Sequence, residues 1–155
     1  MQAFATWKGG FEFRVEDGRA HDVEVDLPVD LGGRSIGPTP VDLALVALAG
    51  SIATRFAELA EKHHLAYYGL HLALEADPGG RNGPFERVHG TLRLRSRVEF
   101  AEVSRVLRAA LATCGVGMIF RRAQIPVEVA VVVVPPQSPE AAAAVAEGGV
   151  RDPLE

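Results

Sequence analysis

The sequence predicts an α+β fold: an antiparallel sheet with a long central helix and a second helix packed on it. Three observations carry that expectation. Short aromatic and β-branched segments separated by glycine turns open the chain, one long apolar run has helical spacing, and two alternating segments precede a second helical run and a last apolar strand. In order, "AFATWK", "FEFRV" and "HDVEVDL" are cut by "GG" and "EDG" and read as three antiparallel strands. "PVDLGGRSIGPTP" is a loop that closes on a helix start, with Thr39 as N-cap, Pro40 at the first helical position and Asp42 three residues after the cap. The helix is expected to run to about His64. "YYGLHLALEAD" and "RVHGTLRLRSRV" each alternate leucines with polar or small residues and read as strands joined by "PGGRNGPF", a hairpin longer than the tightest type. From Phe100, residues Val103, Leu107, Ala110, Leu111 and Cys114 keep helical spacing to an end near Gly115. "VGMIFRRA" offers a further turn or two, and "PVEVAVVVV" a final strand apolar on both faces in its last half. Residues 1–134 are expected to form one domain, and 135–155 a tail with a short helix after Ser138 and a frayed end.

With 155 residues, 48% apolar and 23% charged, the chain is long enough for one domain with a real core. Sixteen basic against 20 acidic side chains give a net charge of −4, no electrostatic reason to expect nucleic acid or an anionic membrane as partner. "MQAFATWKGG" lacks the basic-then-apolar order of a signal peptide, and Asp42, Ser51 and Arg55 interrupt the longest apolar run. The expectation is a soluble cytoplasmic protein with no bilayer span. His63 and His64 point different ways near a helix end, and no carboxylate or thiol stands at ligand spacing, so neither a metal nor a cofactor is expected. Arg93, Arg95 and Arg97 form a stripe without interleaved aromatics, read as a solvated face paired across the sheet with residues such as Glu75.

Two residues carry the functional question. Ser51 lies mid-helix, where it begins a polar stripe with Thr54, Arg55, Glu58 and Lys62, opposite Leu45, Leu48, Ile52, Phe56 and Leu59. The helix there either emerges toward water or uses the small residues Ala44, Ala47, Gly50 and Ser51 to let a second helix approach closely. A mid-helix glycine costs about 1 kcal/mol relative to alanine and usually has a packing reason. "LAGSIAT" is not G-x-S-x-G and lacks the strand-turn-helix setting of a nucleophile elbow. Cys114, the single cysteine, excludes an internal disulfide or a zinc site of several thiolates. It is either an inert small hydrophobe on an inward helix face or a thiol at the N-terminus of the following helix, where the dipole favours thiolate.

"DLGGRSIGPTPVDLALVALAGSIATRFAELAEKH" resembles the G-x-x-P-x-E-L-L opening of the central helix in the OsmC-like proteins, which include the organic hydroperoxide resistance proteins, and "CGVGMIF" resembles their C-P-V motif. The resemblance implies an OsmC-like fold, assembled as an intertwined homodimer. Enzymes of the family use two cysteines: one midway along the central helix attacks a hydroperoxide as thiolate, and the second, in C-P-V, resolves the sulfenic acid to a disulfide. Carried over, Ser51 falls at the first position and Cys114 at the second, Gly115 replaces the motif's proline, and Asp42 stands near the helix-start glutamate. The implied site joins Ser51 and Cys114 as catalytic positions to Asp42, Phe56 and Met118 as substrate-binding ones. Arg14, Arg19 and Arg34 are equal candidates for the substrate-orienting arginine. Serine cannot climb the sulfenic-acid ladder. The expected function is therefore a family member without the two-cysteine cycle that binds a small hydrophobic molecule. The alternatives are a one-cysteine peroxidase acting on organic hydroperoxides through Cys114, and a purely structural or protein-binding dimer.

Overall fold

Gly9 and Gly10 both take positive φ, +133° and +53°, so the backbone turns back on itself after the first strand. The Trp7 indole N–H donates to the Gly10 carbonyl across that turn at 3.1 Å. The computed structural model describes residues 1–80 and 85–136. It divides into two units, Met1–Val46 and Ala47–Glu155. Residues 81–84 of the "PGGRNGPF" connection and the helix expected after Ser138 lie outside the described residues.

In the first unit β1 (Phe4–Gly9), β2 (Glu12–Glu16) and β3 (Asp22–Val25) form an antiparallel sheet in the order β1-β2-β3. Trp7, Phe13 and Val25 are in register across it, as are Ala5, Val15 and Val23, so these six residues share one apolar face. Val25 is buried, whereas Trp7 is 66% exposed and Val23 40%. Beyond β3, the buried Asp26 carboxylate accepts the backbone N–H groups of Leu27 and Arg34, each at 2.8 Å. Burial works against its charged form, but the backbone N–H groups of Arg34, Leu27 and Ile36 outweigh it and hold the carboxyl below its ordinary range. The loop that Asp26 organises delivers the chain to the start of α1 (Pro40–Lys62), where the expected cap is present. The Asp42 N–H donates to Thr39 Oγ1 at 3.1 Å, while the Thr39 N–H and hydroxyl both donate to the Asp42 carboxylate, at 2.9 and 2.8 Å.

In the second unit α1 buries Leu48, Ile52, Phe56, Leu59 and Ala60 at the spacing its sequence shows. It ends where His64 adopts φ +54° and the Leu65 N–H reaches back to the Ala60 carbonyl at 2.8 Å. β4 (Gly69–Pro78) and β5 (Phe85–Arg95) pair antiparallel, with Leu70 opposite Leu94 and Leu72 opposite Leu92. α2 (Phe100–Thr113) and α3 (Gly115–Arg122) then lead to β6 (Val127–Val134). The α+β class holds, with two differences from expectation: there are two three-stranded sheets, and in the second β6 runs parallel to β5. A crossover of two helices returns the chain in the direction it left, which a hairpin cannot do.

Two smaller corrections follow from the register. Glu75 stands opposite His89, with its carboxylate 3.8 Å from His89 Nε2, rather than opposite the arginine stripe. Arg95 is 7% exposed, so that stripe is not uniformly solvated. Among the described residues, α1 has the length and apolar content of a membrane-crossing helix despite its polar interruptions. Its Val46, Ala47, Gly50 and Thr54 are exposed, and a side chain built on Gly50 would meet no other atom of the protomer within 4 Å.

Candidate functional site

The chain breaks between α2 and α3 at Cys114, which closes one helix and opens the next with extended dihedrals, φ −71° and ψ 138°. The axes turn by 67° there. The Cys114 N–H is held by the Ala110 carbonyl at 2.9 Å, and its own carbonyl accepts from Met118 at 3.1 Å, so the backbone is fixed from both sides. The thiol is only 1% exposed. A Cβ built on Gly117 would collide with Cys114 Sγ, so the sulfur fills the space that glycine leaves in the first turn of α3. Cys114 thus sits at a helix N-terminus and is packed as a core residue.

Ser51 faces this break from α1. The Val116 N–H, one of the amides that α3 leaves without an intrahelical partner, donates to Ser51 Oγ at 3.3 Å. One turn on, Arg55 Nε donates to Thr113 Oγ1 at 2.9 Å and Nη1 to Glu58 Oε2 at 2.8 Å. The Thr113 hydroxyl in turn donates to the Ala109 carbonyl at 2.7 Å. Together they line a polar cavity of about 420 Å³ bordered by Gly50, Ser51, Thr54, Arg55, Thr113 and Cys114. On the other side of Cys114 a second cavity of about 450 Å³ is mainly apolar, formed by Leu48, Ile52, Leu111, Gly117, Ile125 and Val127, with Arg108 and Arg121 also in its lining. Cys114 borders both.

The structure thus brings Ser51 and Cys114 to one cavity, and within the same unit the expected Phe56 and Met118 do not join them. Phe56 is a fully buried core residue set edge-to-face against Tyr67, with ring centroids 6.3 Å apart, and Met118 is 46% exposed; neither lines the two cavities. The Asp42 carboxylate serves the helix cap. All three N-terminal arginines are paired in their own unit, Arg14 with Asp22 at 3.0 Å, Arg19 with Asp17 at 2.9 Å and Arg34 with Glu12. Arg121 does not turn back to the sulfur: its Nη2 donates to the Leu111 and Ala112 carbonyls at 3.0 and 3.3 Å, satisfying the end of α2. Among the described residues, no group of three His, Cys, Asp or Glu side chains is placed to hold a metal ion. Arg55 and Thr113 were missed as site residues, although Arg55 falls one turn after Ser51 and Thr113 precedes Cys114. Nothing local in the sequence marks Arg108 or Ile125.

Solved structures share this architecture. An OsmC-like protein from Mycoplasma pneumoniae superposes with a TM-score of 0.74 at 14% identity, covering 86% of this chain and 96% of that one. An organic hydroperoxide resistance protein OsmC from Legionella pneumophila gives 0.69 at 17% identity, covering 86% and 98%. An organic hydroperoxide resistance protein from Vibrio cholerae, solved with captopril in one of its active sites, gives 0.60 at 20% identity, covering 84% and 91%. No curated protein matches the sequence. The family model of the OsmC-like protein matches residues 32–130, a span that takes in the α1 cap, Ser51, Cys114 and the first half of β6, and this chain therefore belongs to the OsmC-like family.

Proposed function

We propose that this protein is a cytoplasmic OsmC-like homodimer that lacks the two-cysteine hydroperoxide cycle and binds a small hydrophobic molecule beside Cys114. One observation carries the reading: Ser51 and Cys114 border a single cavity, as an attacking and a resolving sulfur must, and one of the two is an oxygen. In the two-cysteine cycle a thiolate takes the distal oxygen of a hydroperoxide, releasing the alcohol. The second thiol then displaces water from the sulfenic acid to give the disulfide. A serine hydroxyl can neither form the sulfenic acid nor enter a disulfide, and the chain has no other cysteine. The hydroxyl instead accepts a helix amide, a structural task oxygen performs well. The captopril held by the Vibrio cholerae relative supports the ligand: a related fold takes up a small organic molecule.

The second copy is supported by surface the protomer leaves open. Gly50 has space around it, and Ala47 and Thr54 beside it are exposed, a small-residue face suited to close approach by another helix. Gly50→Leu is expected to leave the protomer folded and shift a dimer to monomer in sedimentation equilibrium. A monomeric wild type contradicts that part of the reading.

Cys114 itself favours the competing reading, a one-cysteine peroxidase, because it borders both cavities at the start of α3. Its burial argues against attack on a hydroperoxide, since reactive thiols are accessible ones. Hydroperoxide consumption with a dithiol reductant separates the two. The wild type is expected to match Cys114→Ser at background, whereas turnover that disappears in Cys114→Ser establishes the peroxidase.

A further inference from the structure

The apolar cavity differs from the polar one in where its charges stand. In the polar cavity Arg55 is committed to Thr113 and Glu58. In the apolar cavity Arg108 and Arg121 are exposed, and among the described residues neither has a carboxylate partner, although most other arginines do. Among the described residues the hydrogen bonds of Arg121 run through Nη2, to the last carbonyls of α2, which fixes the guanidinium in place while its Nε and Nη1 donors have no partner there. Behind the two arginines, the buried side chains of Leu48 and Ile52 and the half-buried Leu111, Ile125 and Val127 give an apolar lining. About 450 Å³ is within the range of cavities that hold small organic ligands. A chain of net charge −4 thus places on one apolar cavity two positive charges with no carboxylate partner among the described residues.

We propose that this cavity binds an anionic amphiphile, its head group on Arg108 and Arg121 and its apolar chain against Leu48, Ile52 and Ile125. The proposal rests on the ligand-binding reading above and specifies the ligand's charge. The guanidinium fork matches an oxyanion through paired N–H donors, and a charged partner strengthens those bonds relative to a neutral hydroxyl. The chain end buries against side chains already withdrawn from water.

Calorimetric titration of the full chain with octanoate and with 1-octanol, equal in chain length and different in charge, tests it. Octanoate is expected to bind at least about tenfold more tightly than 1-octanol, as one to two charge-assisted bonds imply, and more weakly as salt is raised. In the doubly substituted Arg108→Gln, Arg121→Gln protein, octanoate is expected to fall to the level of 1-octanol, with 1-octanol unchanged. Glutamine at 121 keeps a donor for the α2 carbonyls, and the 1-octanol titration reports whether the cavity survives. Ile125→Trp, which fills the cavity, is expected to abolish both. Equal affinity for the two ligands in wild type, an octanoate advantage over 1-octanol that survives in the double arginine variant, or octanoate binding that survives in Ile125→Trp, overturns the proposal while leaving the ligand-binding reading in place if 1-octanol binds. Binding of neither ligand overturns both.

Discussion

The two cavities that meet at Cys114 share the helices α1, α2 and α3, the apolar one adding Ile125 and the start of β6, and differ in how their polar groups are used. On the Ser51 side the polar atoms answer one another: Val116 donates to Ser51, Arg55 to Thr113 and Glu58, and Thr113 to Ala109. On the Leu48 side the lining is hydrocarbon, and the two arginines there face no carboxylate among the described residues. A site whose donors are consumed internally has less to offer a substrate than one whose charges are unspent. The difference supports the proposed reading, in which Ser51 has a structural task and the ligand lies on the opposite side of Cys114.

The largest expected effect comes from the floor of the apolar cavity. Ile52 is fully buried, and Ile52→Ala is expected to destabilise the protein by about 2–5 kcal/mol in urea denaturation. Next comes the wall the cavities share. Gly117→Ala forces a methyl group onto the Cys114 sulfur and is expected to cost about 1–3 kcal/mol, and Cys114→Ala in the same chain should recover much of that loss. Failure of the double substitution to recover stability would show that the sulfur does not occupy that space. On the polar side the arginine network is half-exposed, so Arg55→Ala is expected to cost less than about 1 kcal/mol. A loss as large as that of Ile52→Ala would reverse the comparison.

Acid sensitivity is expected from the other unit. The Asp26 carboxyl, held below its ordinary value of 3.8 by backbone N–H groups, contributes stability that is complete above that value and lost as pH falls through its lower folded value. Wild type should therefore lose stability below about pH 4 more steeply than Asp26→Asn, read from urea midpoints across the acid range. Identical acid limbs would show that the amides do not favour the carboxylate.

Features set by neighbouring residues were legible in the sequence. The capping box of Thr39 and Asp42 is complete within four positions, and the Leu48, Ile52, Phe56, Leu59 stripe needs only a helix. The break at Cys114 was visible because Gly115 and Gly117 follow it. What stayed hidden depends on distant parts of the chain. A strand apolar on both faces suits either direction, so "VEVAVVVV" did not reveal its parallel pairing with β5. The partner of Glu75 is fixed by the register of the β4–β5 hairpin, and alternation alone leaves that register free. Periodicity left Ser51 with two ordinary explanations. Only the family resemblance linked it to Cys114, and the structure then placed both on one cavity. The same resemblance pointed to Phe56, which the core has taken.

The most direct test of the central claim restores the missing sulfur. Ser51→Cys, treated with one equivalent of an organic hydroperoxide and analysed by mass spectrometry, is expected to lose two hydrogens by forming a disulfide with Cys114 and to gain dithiol-dependent turnover, while the wild type shows neither. Turnover by the wild type that disappears in Cys114→Ser would contradict the account and make the buried thiol a catalytic one.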